Sequence, residues 1–186
     1  YDAAGRRTSR TVENGSNDLT TLFSFDERGN QTATTDPRGT QTGATASDYT
    51  TTVASDELDR PITTTAPPVT VETVGSSPAV AQPSASTGYD TFGDVTQTRD
   101  ANGNVTVTSY DRLGRQLQVT QPTYPPPGGS AISANESFTY DHVGNLLTHS
   151  SRRGFTTNYV YNNFNRVVAQ NDPLVTGQSQ RGVVRT

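Results

Sequence analysis

Residues able to do acid–base or metal chemistry are scarce in this 186-residue sequence. It has two histidines, His142 and His149, and no cysteine. Neither histidine has a partner at the spacing of a zinc site, and no nucleophile elbow, zinc-protease motif or phosphate-binding loop is present. We therefore predict no catalytic residue, no bound metal and no cofactor, and we expect that the protein is not an enzyme.

Two acidic turns, residues 26–30 and 100–104, offer the carboxylate and amide oxygens that suit calcium. Their spacing does not match the EF-hand loop, which needs a glycine at the sixth position and a distant glutamate. Arg28 would also repel a cation. We interpret both segments as turns capped by their own aspartate side chains.

Four tyrosines each stand directly before an aspartate or asparagine; they are Tyr89, Tyr110, Tyr140 and Tyr161. Aromatic rings on a shallow β-surface can stack on sugars, which makes these four candidate glycan-stacking residues. The alternative is a packing ladder between successive turns, in which aromatic pairs stabilise neighbouring strands. We favour the packing ladder.

A short unit recurs along the chain: an aromatic residue, Asp, two variable residues, Gly, and then usually Arg or Asn. Clear copies begin at Tyr1, Phe25, Tyr89, Tyr110 and Tyr140. Degenerate copies begin at Asp36, Asp56, Asp100, Ser151 and Tyr161. Repetition of this kind indicates a repeat protein, in which each unit packs mainly on its neighbours.

The units are grouped in threes. Their glycine positions fall at 29, 39 and 59, then at 93, 103 and 114, then at 144, 154 and 165. A longer connection follows each third unit. We interpret residues 1–186 as one repeat segment, with super-repeats at about 7–60, 61–115 and 116–166 and the start of another at 167–186. Because Tyr1 and Asp2 already lie inside a unit, we expect the segment to belong to a longer polypeptide.

Asp, two variable residues and Gly are the preferred sequence of a type I turn closed by a residue with positive φ. The aspartate bonds the backbone two residues on, and the glycine makes a bulge that matches the strand twist. Asp and Asn tolerate positive φ best where glycine is missing. The predicted turn residues are Asp26, Gly29, Gly39, Asp59, Asp90, Gly93, Asp100, Gly103, Asp111, Gly114, Asp141, Gly144 and Asn165. We expect positive φ at each of these glycines, at Asp59 and at Asn165.

Strands are predicted between the turns. Aromatic residues two apart, such as Phe23 with Phe25, lie on one face of a strand. Ten-residue spacing leaves about six residues for each strand. No helical periodicity is present, and residues 66–86 and 121–130, rich in Pro, Ser and Gly, are predicted loops. The predicted fold class is all-β, made of repetitive antiparallel hairpins with Asp-x-x-Gly turns.

The charge balance is mildly acidic, with 14 arginines, no lysine, 18 acidic residues and a formal net charge of −4. Nucleic-acid binding needs clustered cations to neutralise phosphates, and the acidic balance of this chain argues against it. No apolar stretch is long enough to cross a membrane. We therefore predict neither nucleic acid as a partner nor insertion into a membrane.

From Tyr1 to about Arg166, the Tyr-Asp-x-x-Gly-Arg unit and its variants resemble the YD repeat of the rearrangement-hotspot (Rhs) family. That family includes bacterial polymorphic toxins, toxin-complex cocoon subunits, wall-associated proteins and teneurins. The resemblance implies a β-sheet that spirals into a shell or solenoid. It also implies a large protein that is secreted, extracellular or at the cell surface.

As function, the resemblance implies a non-enzymatic structural module that builds a β-shell or an extended fibre. The first alternative is a repeat protein for surface adhesion or carbohydrate binding, and the second is the encapsulating shell of a polymorphic toxin. The implied partners are further YD repeats of the same chain or identical copies in a filament. Cell-surface glycans or an encapsulated toxin domain are the other partners that it implies.

Overall fold

The computed structural model describes residues 1–15 and 18–173, together with the backbone of residues 182–184. Residues 174–181 and 185–186 of the super-repeat expected at 167–186 lie outside the described residues. Within the described part the chain forms strands and two short 3₁₀ helices, Pro37–Thr40 and Ala46–Tyr49. The strands are β1 (Ser9–Val12), β2 (Leu19–Phe25), β3 (Gln31–Thr35), β4 (Thr50–Ser55), β5 (Pro61–Thr65), β6 (Val69–Val71), β7 (Ala79–Ala81), β8 (Ser84–Tyr89), β9 (Val95–Arg99), β10 (Val105–Tyr110), β11 (Gln116–Thr120), β12 (Asn135–Tyr140), β13 (Leu146–Ser150), β14 (Thr156–Tyr161), β15 (Val167–Asn171) and β16 (Gly182–Val184).

The chain divides into two compact units. The first contains Tyr1–Gly88 and Arg99–Gly103, and the second contains Tyr89–Thr98 and Asn104–Thr186. The main sheet of the first unit has the order β1-β2-β3-β4-β5-β8, and β6 pairs with β7 in a separate two-stranded sheet. In the second unit β10 to β16 follow one another in sequence order, each antiparallel to the next. The all-β prediction with antiparallel hairpins is confirmed.

Each unit has one edge made of YD turns, which we call its YD edge. In the first unit the turns at residues 26–30 and 56–60 lie on this edge, and the connections 36–49 and 66–83 lie on the other. In the second unit the YD edge carries the turns 111–115, 141–145 and 162–166, opposite the connections 121–134 and 151–155. The first and third motifs of a super-repeat therefore share an edge, and the second lies opposite.

The prediction of positive φ at Gly39 is wrong. Asp36 caps a 3₁₀ helix that begins at Pro37, and the chain continues through a second 3₁₀ helix before β4 instead of closing a hairpin. Gly39 is required for a different reason: a Cβ there would lie 2.8 Å from Thr35 Cγ2 and 2.9 Å from the Cβ of Tyr49. Its small size permits a close approach of two neighbours.

The loop predicted at residues 66–86 contains regular structure, so that prediction is wrong in part. Strands β6 and β7 pair there with Thr70 opposite Val80, and β8 begins at Ser84. The physical reason is that two short β-forming segments flank Gly75, which has positive φ and reverses the chain. Residues 121–130 contain no strand, although Tyr124 forms an isolated bridge with Ile132.

The described residues contain no buried apolar side chain, and Thr35 is the only buried polar one. Hydroxyl pairs join neighbouring strands instead, at Thr11–Thr20 (2.9 Å), Thr35–Thr50 (2.8 Å) and Thr139–Thr148 (2.6 Å). Cross-strand pairs of this kind contribute a few tenths of a kcal/mol each. Cohesion therefore comes from contacts between neighbouring strands and between the turns that join them.

Candidate functional site

The YD turn has one repeated hydrogen-bonding pattern, seen clearly at Asp111. Its Oδ1 accepts from the backbone N–H of Leu113 (2.8 Å) and of Arg115 (3.0 Å). The N–H of Gly114 donates to the Asp111 carbonyl (3.1 Å), and the N–H of Asp111 donates to the Arg115 carbonyl (2.9 Å). The same four bonds form in the turns that begin at Asp2, Asp26, Asp56, Asp90, Asp141 and Asn162.

The fourth residue of these turns lies in the left-handed region of the backbone. The values of φ are 99° at Gly29, 96° at Gly93, 73° at Gly114 and 101° at Gly144. Gly103, the fourth residue of the turn that begins at Asp100, has a φ of 85°. Two residues other than glycine have positive φ in the described part of the chain, Asp59 at 63° and Asn165 at 58°. Both stand at the fourth position of a YD turn, where the turn sequence requires this conformation.

Arginine at the end of a turn forms a clamp onto the next hairpin. Arg115 Nε donates to Asp111 Oδ2 in its own turn (2.6 Å), and its Nη1 donates to the backbone carbonyl of Asp141 in the next (3.0 Å). Its guanidinium also lies over the ring of Tyr140, 4.6 Å from the centroid. We call this arrangement the arginine clamp.

The first unit contains a second arginine clamp with the same contacts. Arg6 donates to Asp2 Oδ2 (2.6 Å) and to the carbonyl of Asp26 (2.7 Å), and it lies 5.0 Å from the ring centroid of Phe25. The aromatic residue that opens one motif is therefore covered by the arginine that closes the preceding one. The Gly-Arg end of one motif and the aromatic-Asp start of the next are therefore the two sides of one contact between hairpins.

Asparagine at the end of a turn makes a shorter bridge, which we call the asparagine bridge. Asn30 Nδ2 donates to Asp26 Oδ2 in its own turn (3.0 Å) and to Asp59 Oδ1 in the next turn along the YD edge (2.6 Å). Asn145 makes the equivalent bonds to Asp141 Oδ2 (2.8 Å) and to Asn165 Oδ1 (3.0 Å). The acceptors in the neighbouring turn are thus the two residues with positive φ that are not glycine.

These bonds lower the pKa of several of the turn aspartates, including Asp26, Asp56 and Asp111. At Asp111 and at Asp56, hydrogen bonds from the side chains of Arg115 and Arg60 hold the carboxyl pKa below its ordinary value, against partial desolvation. At Asp26 the side-chain amide of Asn30 is the main cause of the lowered pKa. The carboxylates of Asp26, Asp56 and Asp111 therefore act as ionised hydrogen-bond acceptors within their own turns.

The four candidate glycan-stacking tyrosines are all half-buried beside the turns. The hydroxyl of Tyr110 donates to the carbonyl of Val95 (3.0 Å), and Arg115 covers a face of Tyr140. Burial, followed by the nearby charges of Tyr159 and Asp141, raises the pKa of Tyr161. These contacts are those of a packing position between hairpins.

The two histidines are separate and lie in different settings. His142 is exposed within a turn, and His149 stacks on Phe138 with ring centroids 4.9 Å apart. The described residues contain no group of three or more His, Asp or Glu side chains that could hold a metal ion. Over the same residues, no helix has the length and apolar character needed to span a membrane.

A cavity of about 610 Å³ lies in the first unit, beside the connection 36–49 and residues 66–69. Its lining includes the ring of Tyr49, the carboxylates of Asp36 and Asp48, and the guanidinium of Arg38. Arg38 Nε donates to Asp36 Oδ1 (2.8 Å) and lies 5.3 Å from the Tyr49 ring centroid. Sequence reasoning missed this site, although the longer gap between positions 39 and 59 is the signal that could have revealed it.

Comparison with known families identifies the repeat. Residues 1–41 and 89–125 match the family described as RHS repeat. These two stretches of the chain are therefore similar to Rhs repeats. The matched residues include the two complete arginine-ended motifs at Tyr1 and Tyr110, and thus the arginines of both clamps described above. No curated protein matches the chain.

Solved structures share the fold of this chain. A crystal structure of TcdB2-TccC3-TEV has a TM-score of 0.63 at 13% identity over 94% of this chain, and one of TcdB2-TccC3 has 0.59 at 14% over 88%. A third, of TcdB2-TccC3-Cdc42, has 0.55 at 16% over 85%. This chain spans only 9%, 8% and 7% of those chains, respectively.

Proposed function

We propose that this chain is a non-enzymatic structural module that forms part of a β-shell or an extended fibre in a large secreted or cell-surface protein. The arginine clamp is the observation that carries the proposal. At Arg6 and Arg115 it bonds one hairpin to the next through a carboxylate, a backbone carbonyl and an aromatic ring. A module of this kind propagates a sheet without needing a deep core.

Its partners in this role are further YD repeats of the same polypeptide or identical copies of the chain. An encapsulated toxin domain is the more specific version, and it is supported by the fold shared with the TcdB2-TccC3 structures. The protein could thus be built in two forms, a curved shell or a fibre, and experiment can distinguish them.

Electron cryo-microscopy of the natural protein that contains this chain tests the proposal. A continuous sheet that winds around a hollow space, or runs as a fibre, is the expected result. Protease digestion before and after denaturation then separates the two forms, since a domain enclosed by a shell resists cleavage until the shell unfolds. The structural role would be contradicted if the chain proved to be an isolated globular domain that hydrolyses a substrate at its YD edge.

Carbohydrate binding is the second candidate function, favoured by the cavity beside Tyr49. One aromatic ring, two carboxylates and threonine hydroxyls from Thr21, Thr34 and Thr51 line it, and this mixture can stack on and hydrogen-bond a sugar. A glycan array with Tyr49→Ala tests it. The matched control is Tyr124→Ala, because Tyr124 is exposed but does not line the cavity. Binding that Tyr49→Ala leaves unchanged would exclude this cavity as the site.

A further inference from the structure

A second cavity of the first unit has a volume of about 250 Å³ and a wall made mostly of polar side chains. It lies where β8 begins, beside residues 99–103, which belong to the same unit. Its lining residues are Gln82, Ser84, Ser86, Arg99, Asp100, Ala101 and Gly103. Among the described residues no aromatic ring lines it, so a ligand there is held by hydrogen bonds and charge rather than by stacking.

Four polar side chains on this wall are not used within the described part of the protein. The guanidinium of Arg99 forms no hydrogen bond or ion pair with any described residue. The same is true of the side chains of Gln82, Ser84 and Ser86. Other arginines of this unit are engaged, Arg6 in a clamp and Arg38 in an ion pair with Asp36. The cavity therefore holds hydrogen-bonding groups that fold stability does not require.

The backbone places these groups around one space. A Cβ on Gly103 would lie 3.5 Å from Arg99 Nη2 and 3.8 Å from Arg99 Nε, so the guanidinium lies against the turn at its glycine. Ser84 and Ser86 are two residues apart in β8, which puts both hydroxyls on one face of the strand. A planar guanidinium presents a fork of N–H donors that matches the two oxygens of a carboxylate.

The carboxylate of Asp100 is part of the same wall but serves its own turn. Its Oδ1 accepts from the N–H of Asn102 (2.9 Å), and its backbone carbonyl accepts from the N–H of Gly103 (3.0 Å). Its charge opposes the binding of an anion. Donors still dominate the wall, because the guanidinium, two hydroxyls and an amide face the same space.

We propose that this cavity binds the carboxylate of a small polar ligand of the sugar-acid class. Arg99 pairs with the carboxylate, and Ser84, Ser86 and Gln82 bond the hydroxyl groups of the ligand. The volume of about 250 Å³ lies below the roughly 300–1,000 Å³ of pockets for drug-sized ligands, which limits the ligand to about one sugar ring. The site is separate from the cavity beside Tyr49, and it does not depend on the structural role proposed above.

Isothermal titration calorimetry of the full chain tests the requirement for a carboxylate. Galacturonate and glucuronate are each compared with the neutral sugar, galactose or glucose, that carries a hydroxymethyl group in place of the carboxylate. At least one acid should bind about tenfold or more tightly than its neutral partner, the effect of one charge-assisted hydrogen bond. If neither acid is preferred, the proposal is overturned and the structural role still stands.

A charge-removing variant tests the assignment of Arg99. Arg99→Gln should weaken binding of the preferred acid at least about tenfold. Arg112→Gln is the matched control, because Arg112 is also exposed, forms no bond with a described residue and lies outside the cavity. Circular dichroism of both variants checks that the fold is intact. Equal affinities of Arg99→Gln and the unaltered chain would overturn the proposal.

Asp100→Asn tests the sign of the ligand charge. The amide oxygen can keep the turn bond, as the Oδ1 of Asn162 does when it accepts from the N–H of Phe164 (2.9 Å). Because the opposing charge beside Arg99 is lost, the acid should bind severalfold more tightly. A folding defect cannot produce tighter binding. Unchanged or weaker binding in this variant would overturn the proposal of an anionic ligand.

Discussion

The side-chain amide of Asn30 donates to the carboxylate of Asp59 in the neighbouring turn, 29 residues further along the chain and 2.6 Å away. Asn145 and Asn165 repeat this relationship in the second unit. In the middle super-repeat the first turn ends in Asp94 and the third holds Gly114 at the corresponding position. Where the first turn of a super-repeat ends in asparagine, the facing position of the third turn holds Asp or Asn, whose side chain accepts the bond. Where the first turn ends in aspartate, that position holds glycine.

If the Asn30–Asp59 bridge stabilises the fold, substitutions at the two positions should have non-additive effects on the free energy of unfolding. Asn30→Ala removes the donor and Asp59→Gly removes the acceptor while keeping a residue that tolerates positive φ. A double-mutant cycle on the free energy of unfolding in urea should give a coupling of about 1 kcal/mol. Strict additivity of the two single changes would show that the bridge contributes nothing.

The same bridge should be transferable to the middle super-repeat. Gly114→Asp alone brings a second carboxylate close to Asp94, because a Cβ at that position would lie 3.4 Å from Asp94 Oδ2. Adding Asp94→Asn converts the pair into a donor and an acceptor. The double variant should exceed the sum of the single effects by about 1 kcal/mol, measured as free energy of unfolding. A double variant no more stable than that sum would contradict the pairing.

Gly39→Ala should destabilise the first unit through overpacking rather than through backbone strain. The new Cβ meets Thr35 Cγ2 at 2.8 Å and Tyr49 Cβ at 2.9 Å, and such crowding costs about 1–3 kcal/mol. Thr35→Ser removes the methyl group but keeps the hydroxyl that pairs with Thr50, so it should recover part of the loss. Urea denaturation of the single and double variants measures both effects. An unchanged stability for Gly39→Ala would refute the close approach.

Arg115→Lys should weaken the link between two hairpins of the second unit even though the charge is kept. Lysine cannot bond the Asp111 carboxylate and the Asp141 carbonyl at once while lying flat over Tyr140. Loss of the stacking and of one backbone hydrogen bond should lower the free energy of unfolding by about 1 kcal/mol. Arg112→Lys, at an exposed position of the same turn, is the control and should have no effect.

Stability should fall on acidification below about pH 4, near the ordinary carboxyl pKa. The pKa of Asp111 and of Asp56 is lowered in the folded state, mainly by their arginine partners. A lowered folded pKa contributes stability that is fully present above the unfolded pKa and is lost as pH falls through the folded one. Thermal unfolding between pH 7 and pH 2.5 measures this, and Asp111→Asn should reduce the slope. A slope that Asp111→Asn leaves unaltered would argue against the ion pair.

The turns were predictable from the sequence because their geometry is local. Asp-x-x-Gly contains its own donors, acceptors and left-handed residue within four positions, so Asp59 and Asn165 could be assigned positive φ without any knowledge of the fold. The alternation of strands followed from the spacing of the turns. Most of the secondary structure was therefore available from the repeat alone.

The exceptions depend on features that the four-residue turn pattern does not contain. Asp36 and Gly39 satisfy the same four-residue pattern, but a 3₁₀ helix begins at Pro37. A residue without a Cβ is needed at position 39, because a Cβ there would lie under 3 Å from Thr35 Cγ2 and Tyr49 Cβ. The clamps and bridges were also hidden, because Arg6 reaches Asp26 and Asn30 reaches Asp59 across 20 and 29 residues. The four-residue turn pattern does not specify which two turns are neighbours along the YD edge.

The arginine clamp has a consequence for how such a gene can change in length. Each clamp joins the arginine ending one motif to the aromatic and aspartate opening the next, so the clamps at Arg6 and Arg115 consist of the same two halves. Recombination that duplicates or deletes a stretch between equivalent motifs therefore creates a junction with the old chemistry. Successive turns on the YD edge are two strands apart. Insertion or deletion of an even number of strands therefore keeps the next turn on this edge, whereas a single added strand would move it to the opposite edge.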